Sequence, residues 1–102
     1  MRLKFPSQPL VFCFSGVTAL CSAVAKLYKA YPALKASLCL QEQTYYLAVY
    51  SRLKMRRSVY FSMIEYGSYL GPGRVIYSFY EEHGKRISLD AVAEIGAAMC
   101  SR

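Results

Sequence analysis

The sequence has little of the chemistry that enzymes and metal centres need. It contains no tryptophan, one histidine (His83) and six acidic residues. Its four cysteines form no C-x-x-C pair and lack the spacing of zinc ligands, and no nucleophile motif surrounds any cysteine or serine. The sequence therefore predicts a protein that is not an enzyme and that holds no metal or cofactor.

The four cysteines lie within apolar stretches, where a reduced cysteine behaves as a small buried hydrophobic side chain. They are Cys13, Cys21, Cys39 and Cys100. We expect free thiols in a cytoplasmic protein, with a disulfide pair as the alternative.

No charge occurs between Lys4 and Lys26, and this stretch imitates a secretory signal. Two prolines precede its apolar part, and Ser15-Gly16 divides it into a strand-like and a helical piece. It is too interrupted for a membrane span, which takes about 20 predominantly apolar residues. We interpret it as folded core, with residues 1–8 as a flexible N-terminal segment.

What the chain does contain is enough apolar material for one core. Of its 102 residues 55% are hydrophobic, and ten tyrosines and five phenylalanines supply large side chains. A second core would leave each half too small to be stable, so we expect a single domain over residues 1–102.

Hydrophobic periodicity predicts the order β-α-β-β-α-β-α. The predicted strands are Leu10–Phe14, Lys35–Gln41, Thr44–Ser51 and Val75–Tyr80, with brief pairing at Arg86-Ile87. The predicted helices run from Val17 to before Pro32, from Leu53 to Tyr66, and from Leu89 to the C-terminus, with Ser15 and Ser88 as N-caps of the first and third. This order indicates an α+β fold, a largely antiparallel sheet of about four strands covered on one face by helices. Both faces of Thr44–Ser51 are apolar, so this strand is expected to be central.

Positive charge is concentrated at the start of the second predicted helix. The net charge is +7. The cluster, here called the basic patch, comprises Arg52, Lys54, Arg56 and Arg57, with Arg74 nearby. It could attract phosphates or acidic protein surfaces, or it could be an ordinary solvated helix face.

The chain resembles an RNA-recognition domain in outline. The resemblance lies in the order of its helices and strands along the sequence, the tyrosine-rich segment Thr44–Tyr50 and the net charge. The segment lacks the basic-Gly-aromatic-Gly opening of the first ribonucleoprotein motif. A basic RNA- or DNA-binding domain is therefore one functional alternative, and a small-ligand regulatory domain is another.

Several short segments match one known family in order and spacing. They are SLCLQEQTYYL at Ser37–Leu47, IEY at Ile64–Tyr66, YEEHGKRI at Tyr80–Ile87 and DAV at Asp90–Val92. With the strand at Leu10–Phe14, they resemble the C-terminal domain of the MecA family, adaptor proteins of the ClpC ATPase, over nearly the whole chain. Gly16-Val17-Thr18-Ala19 stands where that family has an acidic stretch.

The resemblance implies a cytoplasmic domain that binds the N-terminal and linker regions of ClpC and supports its assembly or the targeting of substrates to ClpCP proteolysis. It implies docking contacts at Glu65 and Glu82. Their neighbours Tyr66, Glu81, His83 and Lys85 complete the expected partner-binding set. This sequence contains no counterpart of the family's N-terminal substrate-recognition domain and acidic linker. If it is complete, we expect a docking module without its own domain for substrates; the alternatives are a competitor, a divergent paralogue or a fragment of such an adaptor.

Overall fold

The structure, a computed structural model, describes residues 9–71 and 85–100. Within these residues the chain forms five β-strands, three α-helices and one turn of 3₁₀-helix at Leu53–Met55. The strands are β1 (Leu10–Phe14), β2 (Lys35–Gln41), β3 (Thr44–Tyr50), β4 (Ser68–Tyr69) and β5 (Ile87–Ser88). The helices are α1 (Val17–Ala30), α2 (Arg56–Met63) and α3 (Leu89–Cys100). The predicted α+β class is confirmed.

The strands form one sheet in the order β4-β1-β3-β2-β5, and every neighbouring pair is antiparallel. The prediction of a central β3 is confirmed. About four strands were expected, whereas the described residues contribute five. One addition is β4, which pairs with β1 and places Tyr69 opposite Phe12 in a segment predicted to be loop. The predicted strand Val75–Tyr80 lies outside the described residues.

The β2–β3 hairpin closes through a two-residue turn between Gln41 and Thr44. Both central residues have positive φ, 48° at Glu42 and 69° at Gln43. Positive φ at both positions is typical of a type I′ turn, whose twist matches that of antiparallel strands. Neither residue is glycine, so the turn adopts the left-handed conformation at some cost in free energy.

One face of the sheet packs against all three described helices, as expected. Antiparallel pairing places Phe12 opposite Leu47 on this face, and both side chains are fully buried. The helices contribute apolar side chains to the same core. Those from helices are Leu20, Ala23, Val24 and Leu27 of α1, Val59 and Met63 of α2, and Leu89 and Val92 of α3. The uncharged N-terminal stretch is thus core from Leu10 through α1.

The opposite face of the sheet carries a smaller apolar cluster. Val11, Cys39 and Ala48 are 0%, 4% and 1% exposed, with Tyr46 and Tyr50 packed beside them. Strand alternation separates this set from the helix-facing side chains by one residue. Both faces of β1, β2 and β3 are therefore buried at their centres.

Of the two predicted N-caps, one is wrong and one is confirmed. Ser15 was expected to cap α1, but the N-cap is Gly16, and no side-chain hydrogen bond caps the helix. Ser15 lies one residue too early for its hydroxyl to act from the cap position. Ser88 does cap α3, because its Oγ accepts a hydrogen bond of 3.2 Å from the backbone N–H of Ala91.

Candidate docking surface

The end of α2 and the turn after it expose an unusual share of apolar surface. Half of the eight exposed large hydrophobic side chains in the described residues lie between positions 61 and 70. They are Phe61, Ile64, Tyr66 and Leu70, with 47%, 38%, 37% and 36% exposed. Clustered exposed apolar side chains mark interaction sites more often than isolated ones do.

Helical spacing brings part of this cluster onto one side of α2. Ile64 and Glu65 come three and four residues after Phe61, so both are its neighbours on the surface of the helix and the turn that continues it. The turn is closed by hydrogen bonds from the N–H groups of Tyr66 and Gly67 to the carbonyl oxygen of Met63, both 3.1 Å. We call Phe61, Ile64, Glu65 and Tyr66 the α2-end surface.

Glu65 is the acidic group of this surface, and it already has an intramolecular partner. Its Oε2 lies 2.5 Å from Nζ of Lys26 on α1. The two side chains remain 53% and 39% exposed, so the ion pair is open to water on one side. The docking contact expected at Glu65 stays a prediction, and the structure adds that its carboxylate is accessible but shared with Lys26.

The other predicted docking residues are described only in part. Tyr66 and Lys85 are both exposed. Glu81, Glu82 and His83 lie outside the described residues. That Glu65 and Glu82 contact the partner together stays a prediction.

The structure changes the basic patch. Arg52, Lys54 and Arg57 are exposed, and the guanidinium of Arg57 lies 5.8 Å from the ring centroid of Phe61. Arg56 was placed in the patch, but its side chain is only 5% exposed. The helix period explains this correction, because Arg56, Val59 and Met63 share the buried face of α2. Arg74 lies outside the described residues.

An aromatic cluster supports α2 from the sheet. The rings of Tyr60 and Tyr69 meet edge to face at 5.3 Å between centroids, and the ring of Phe12 lies 5.4 Å from that of Tyr69. Burial raises the pKa of Tyr69, and the charge of Arg56 opposes this by lowering it. The helix that carries the docking surface therefore contacts β1 and β4 through edge-to-face and tilted aromatic rings.

The predicted absence of catalytic and metal chemistry remains a prediction. In residues 9–71 and 85–100 no group of three or more metal-ligating side chains comes together. Cys13, Cys21 and Cys39 are free cysteines, and the side chain of Cys100 is outside the description. No helix in the described part of the chain is both long and apolar enough to cross a membrane.

Comparisons with models of known protein families, with curated protein sequences and with solved structures found no match for this chain.

Proposed function

We propose that this domain acts by binding another protein in the cytoplasm, and that the partner is a ClpC-type ATPase. Its role would be to support assembly of that ATPase or the targeting of substrates for ClpCP proteolysis. The resemblance of the sequence motifs to the MecA family supplies the identity of the partner. The observation that carries the docking role is the α2-end surface, where an accessible carboxylate and three exposed apolar side chains lie between positions 61 and 66.

The chemistry of this surface suits protein recognition. Aromatic side chains such as Phe61 and Tyr66 supply large contact areas with little loss of conformational entropy, and they are common at interface hot spots. A carboxylate at their centre forms charge-assisted hydrogen bonds to an arginine or lysine of a partner. Lys26 already holds Glu65 in place, so binding requires little further ordering of that side chain.

The first test is a charge reversal at the centre of the surface. Glu65→Arg should weaken binding to the N-terminal and linker regions of ClpC by roughly tenfold or more, equivalent to about 1.4 kcal/mol. The dissociation constant is measured by calorimetry, alongside stimulation of ClpC ATPase activity. Glu94→Arg is the matched control, because Glu94 is an exposed acid on α3. Equal binding by the two variants would show that Glu65 is not part of the interface.

A charge swap separates the partner contact from the internal ion pair. The double variant Lys26→Glu with Glu65→Lys keeps an ion pair between the same two positions but reverses the charge that a partner meets. If Glu65 binds the partner, the double variant stays as weak as Glu65→Arg. If Glu65 serves only the contact with α1, the double variant binds as tightly as the natural protein.

The nucleic-acid alternative has weaker support. An RNA-recognition sheet needs open aromatic side chains on the face opposite its helices, and here Val11, Cys39 and Ala48 are buried at the centre of that face. What favours this alternative is the exposed part of the basic patch, Arg52, Lys54 and Arg57. RNA binding with a steep dependence on salt, lost in Arg52→Ala with Arg57→Ala, would support it over ClpC docking.

A further inference from the structure

A pocket of about 510 Å³ lies at the end of the sheet where β2 begins and β3 ends. Its walls come from four places in the chain: the segment 30–35 after α1, Tyr50 and Arg52 at the end of β3, Met55 before α2, and Arg86 before β5. Its volume is within the range of roughly 300–1,000 Å³ that small-molecule sites occupy. We call it the sheet-end pocket.

The charged side chains that line this pocket are all positive within the described part of the chain. They are Lys35, Arg52 and Arg86, and none of the described lining residues is acidic. Within residues 9–71 and 85–100 the ion pair given by the structure is Lys26–Glu65, so no described carboxylate neutralises these three cations. Three like charges around one concave site repel each other, and a bound anion would relieve that repulsion.

One of these cations, Arg86, is positioned by contacts with the sheet. Its guanidinium lies over the ring of Tyr50, 4.2 Å from the ring centroid. The hydroxyl of Ser37 lies 3.3 Å from that of Tyr50 and donates a 2.6 Å hydrogen bond to the carbonyl oxygen of Lys85, the residue before Arg86. The backbone of Lys35 pairs with that of Tyr50 in the ladder, and its side chain is exposed. The ordering of Arg86 that binding requires is therefore already made in the free protein.

The remaining walls are apolar or aromatic. Tyr31, Leu34 and Met55 face the same pocket as the cations. A free inorganic anion would leave this apolar surface unused, whereas an organic anion would cover it. An arginine fork suits the two oxygens of a carboxylate or a phosphoryl group equally well.

We propose that the sheet-end pocket binds a small organic oxyanion, a carboxylate or phosphate ester that carries an aromatic or apolar body. The oxyanion contacts Lys35, Arg52 and Arg86, and the body packs against Tyr31, Leu34 and Met55. This site is separate from the α2-end surface in its residues and in its chemistry. It gives the domain a ligand-binding role beside its docking role.

The test uses two probes and their neutral analogues. Adenosine 5′-monophosphate carries a phosphate ester, and N-acetylphenylalanine carries a carboxylate; adenosine and N-acetylphenylalanine amide lack the charge. Binding is followed by NMR titration of backbone amides at the pocket. At least one charged probe should saturate the site with a Kd of about 1 mM or tighter, and its neutral analogue should bind roughly tenfold more weakly. The probe that binds identifies which oxyanion the pocket takes.

A matched pair of variants locates the binding. Arg52→Gln removes an exposed cation of the pocket and should weaken binding of that probe roughly tenfold. Lys54→Gln removes the same charge two residues away, outside the lining, and should leave binding unchanged. Both positions are exposed, so neither substitution should disturb the fold. Unchanged NMR signals from the rest of the domain would confirm this.

Four outcomes would overturn the proposal. The first is that neither charged probe saturates the site, and the second is that both variants lose the same affinity. The third is that inorganic phosphate alone binds as tightly as the probes, which would indicate a site for a bare anion. The fourth is that an acidic peptide or RNA oligonucleotide binds through the same residues far more tightly than either probe, which would assign the pocket to a macromolecular partner.

Discussion

Nζ of Lys26 lies 2.5 Å from Oε2 of Glu65, and this ion pair joins α1 to the turn that follows α2. The two residues are 39 positions apart in the sequence. The contact fixes the acidic centre of the α2-end surface relative to a helix of the core. It also determines how a substitution of Glu65 must be interpreted, because such a change affects both the internal contact and a partner.

The internal contribution of this ion pair should be small. Lys26→Met and Glu65→Gln are each expected to lower the free energy of unfolding by less than about 1 kcal/mol, because both side chains are substantially exposed to water. Urea denaturation measures the difference. The loss of stability in each variant should be smaller at about 1 M salt, where the screening length is about 3 Å. A loss of several kcal/mol from either variant would contradict a water-exposed pair.

Gly67 should not tolerate a side chain. A Cβ atom at this position would lie 2.5 Å from the carbonyl oxygen of Cys13 and 2.5 Å from the ring of Phe14. Phe14 is 1% exposed and cannot move aside freely, so Gly67→Ala should lower the free energy of unfolding by about 1–3 kcal/mol.

The matched control is Gly16→Ala, since a Cβ there would meet nothing within 4 Å. Its effect should be below about 0.5 kcal/mol, because alanine is the poorer N-cap residue but also restricts the unfolded chain, and these two contributions oppose each other. Thermal or urea unfolding of the two variants gives the comparison. Similar losses of stability would show that close packing against Phe14 is not what makes Gly67→Ala destabilising.

The hairpin turn should be open to stabilisation. Glu42→Asn with Gln43→Gly replaces two residues of positive φ by the pair that type I′ turns favour. The free energy of unfolding should rise by about 1 kcal/mol, because asparagine tolerates the left-handed conformation better than glutamate does and glycine has no Cβ to oppose it. Gln41→Gly, in the adjoining strand, should instead lower it by about 0.5–1 kcal/mol. Chemical denaturation of both variants tests the turn assignment.

The two serines predicted as helix caps should behave differently. Ser88→Ala removes the acceptor for the backbone N–H of Ala91 and should cost about 1 kcal/mol of stability. Ser15→Ala should cost less than about 0.5 kcal/mol, because Ser15 is exposed and Gly16 occupies the cap position. Urea denaturation distinguishes them. An equal cost for both would mean that Ser15 also stabilises α1.

The elements that the sequence predicted well are those with a strong local pattern. Alternating residues at Thr44–Tyr50 gave two apolar faces, and β3 is indeed central. Spacings of three and four residues located α1, α2 and α3 to within a few residues. The end of α2 was less accurate: the helix stops at Met63 and a turn covers 64–66. Tyr66, the last residue of the predicted helix, therefore lies in this turn, where it is 37% exposed.

Features that depend on contacts between distant residues could not be predicted from the sequence. The strand Ser68–Tyr69 is too short to show alternation and exists because β1 offers it a partner. Arg56 belongs by charge to the basic patch, yet the helix period turns it toward the core. Lys35 and Arg86 had no common motif, because what they share is a place in the fold.

The sequence by itself determined the class of the fold, the order of its main elements and the acidic and aromatic character of the turn after α2. These follow from local periodicity and from residue chemistry, which act over a few neighbouring positions. Only the tertiary structure decided that Lys26 holds Glu65 and that Lys35, Arg52 and Arg86 surround one pocket. The physical reason is that antiparallel pairing and helix packing bring together residues that are separated by tens of positions, and no local pattern encodes which charges then meet.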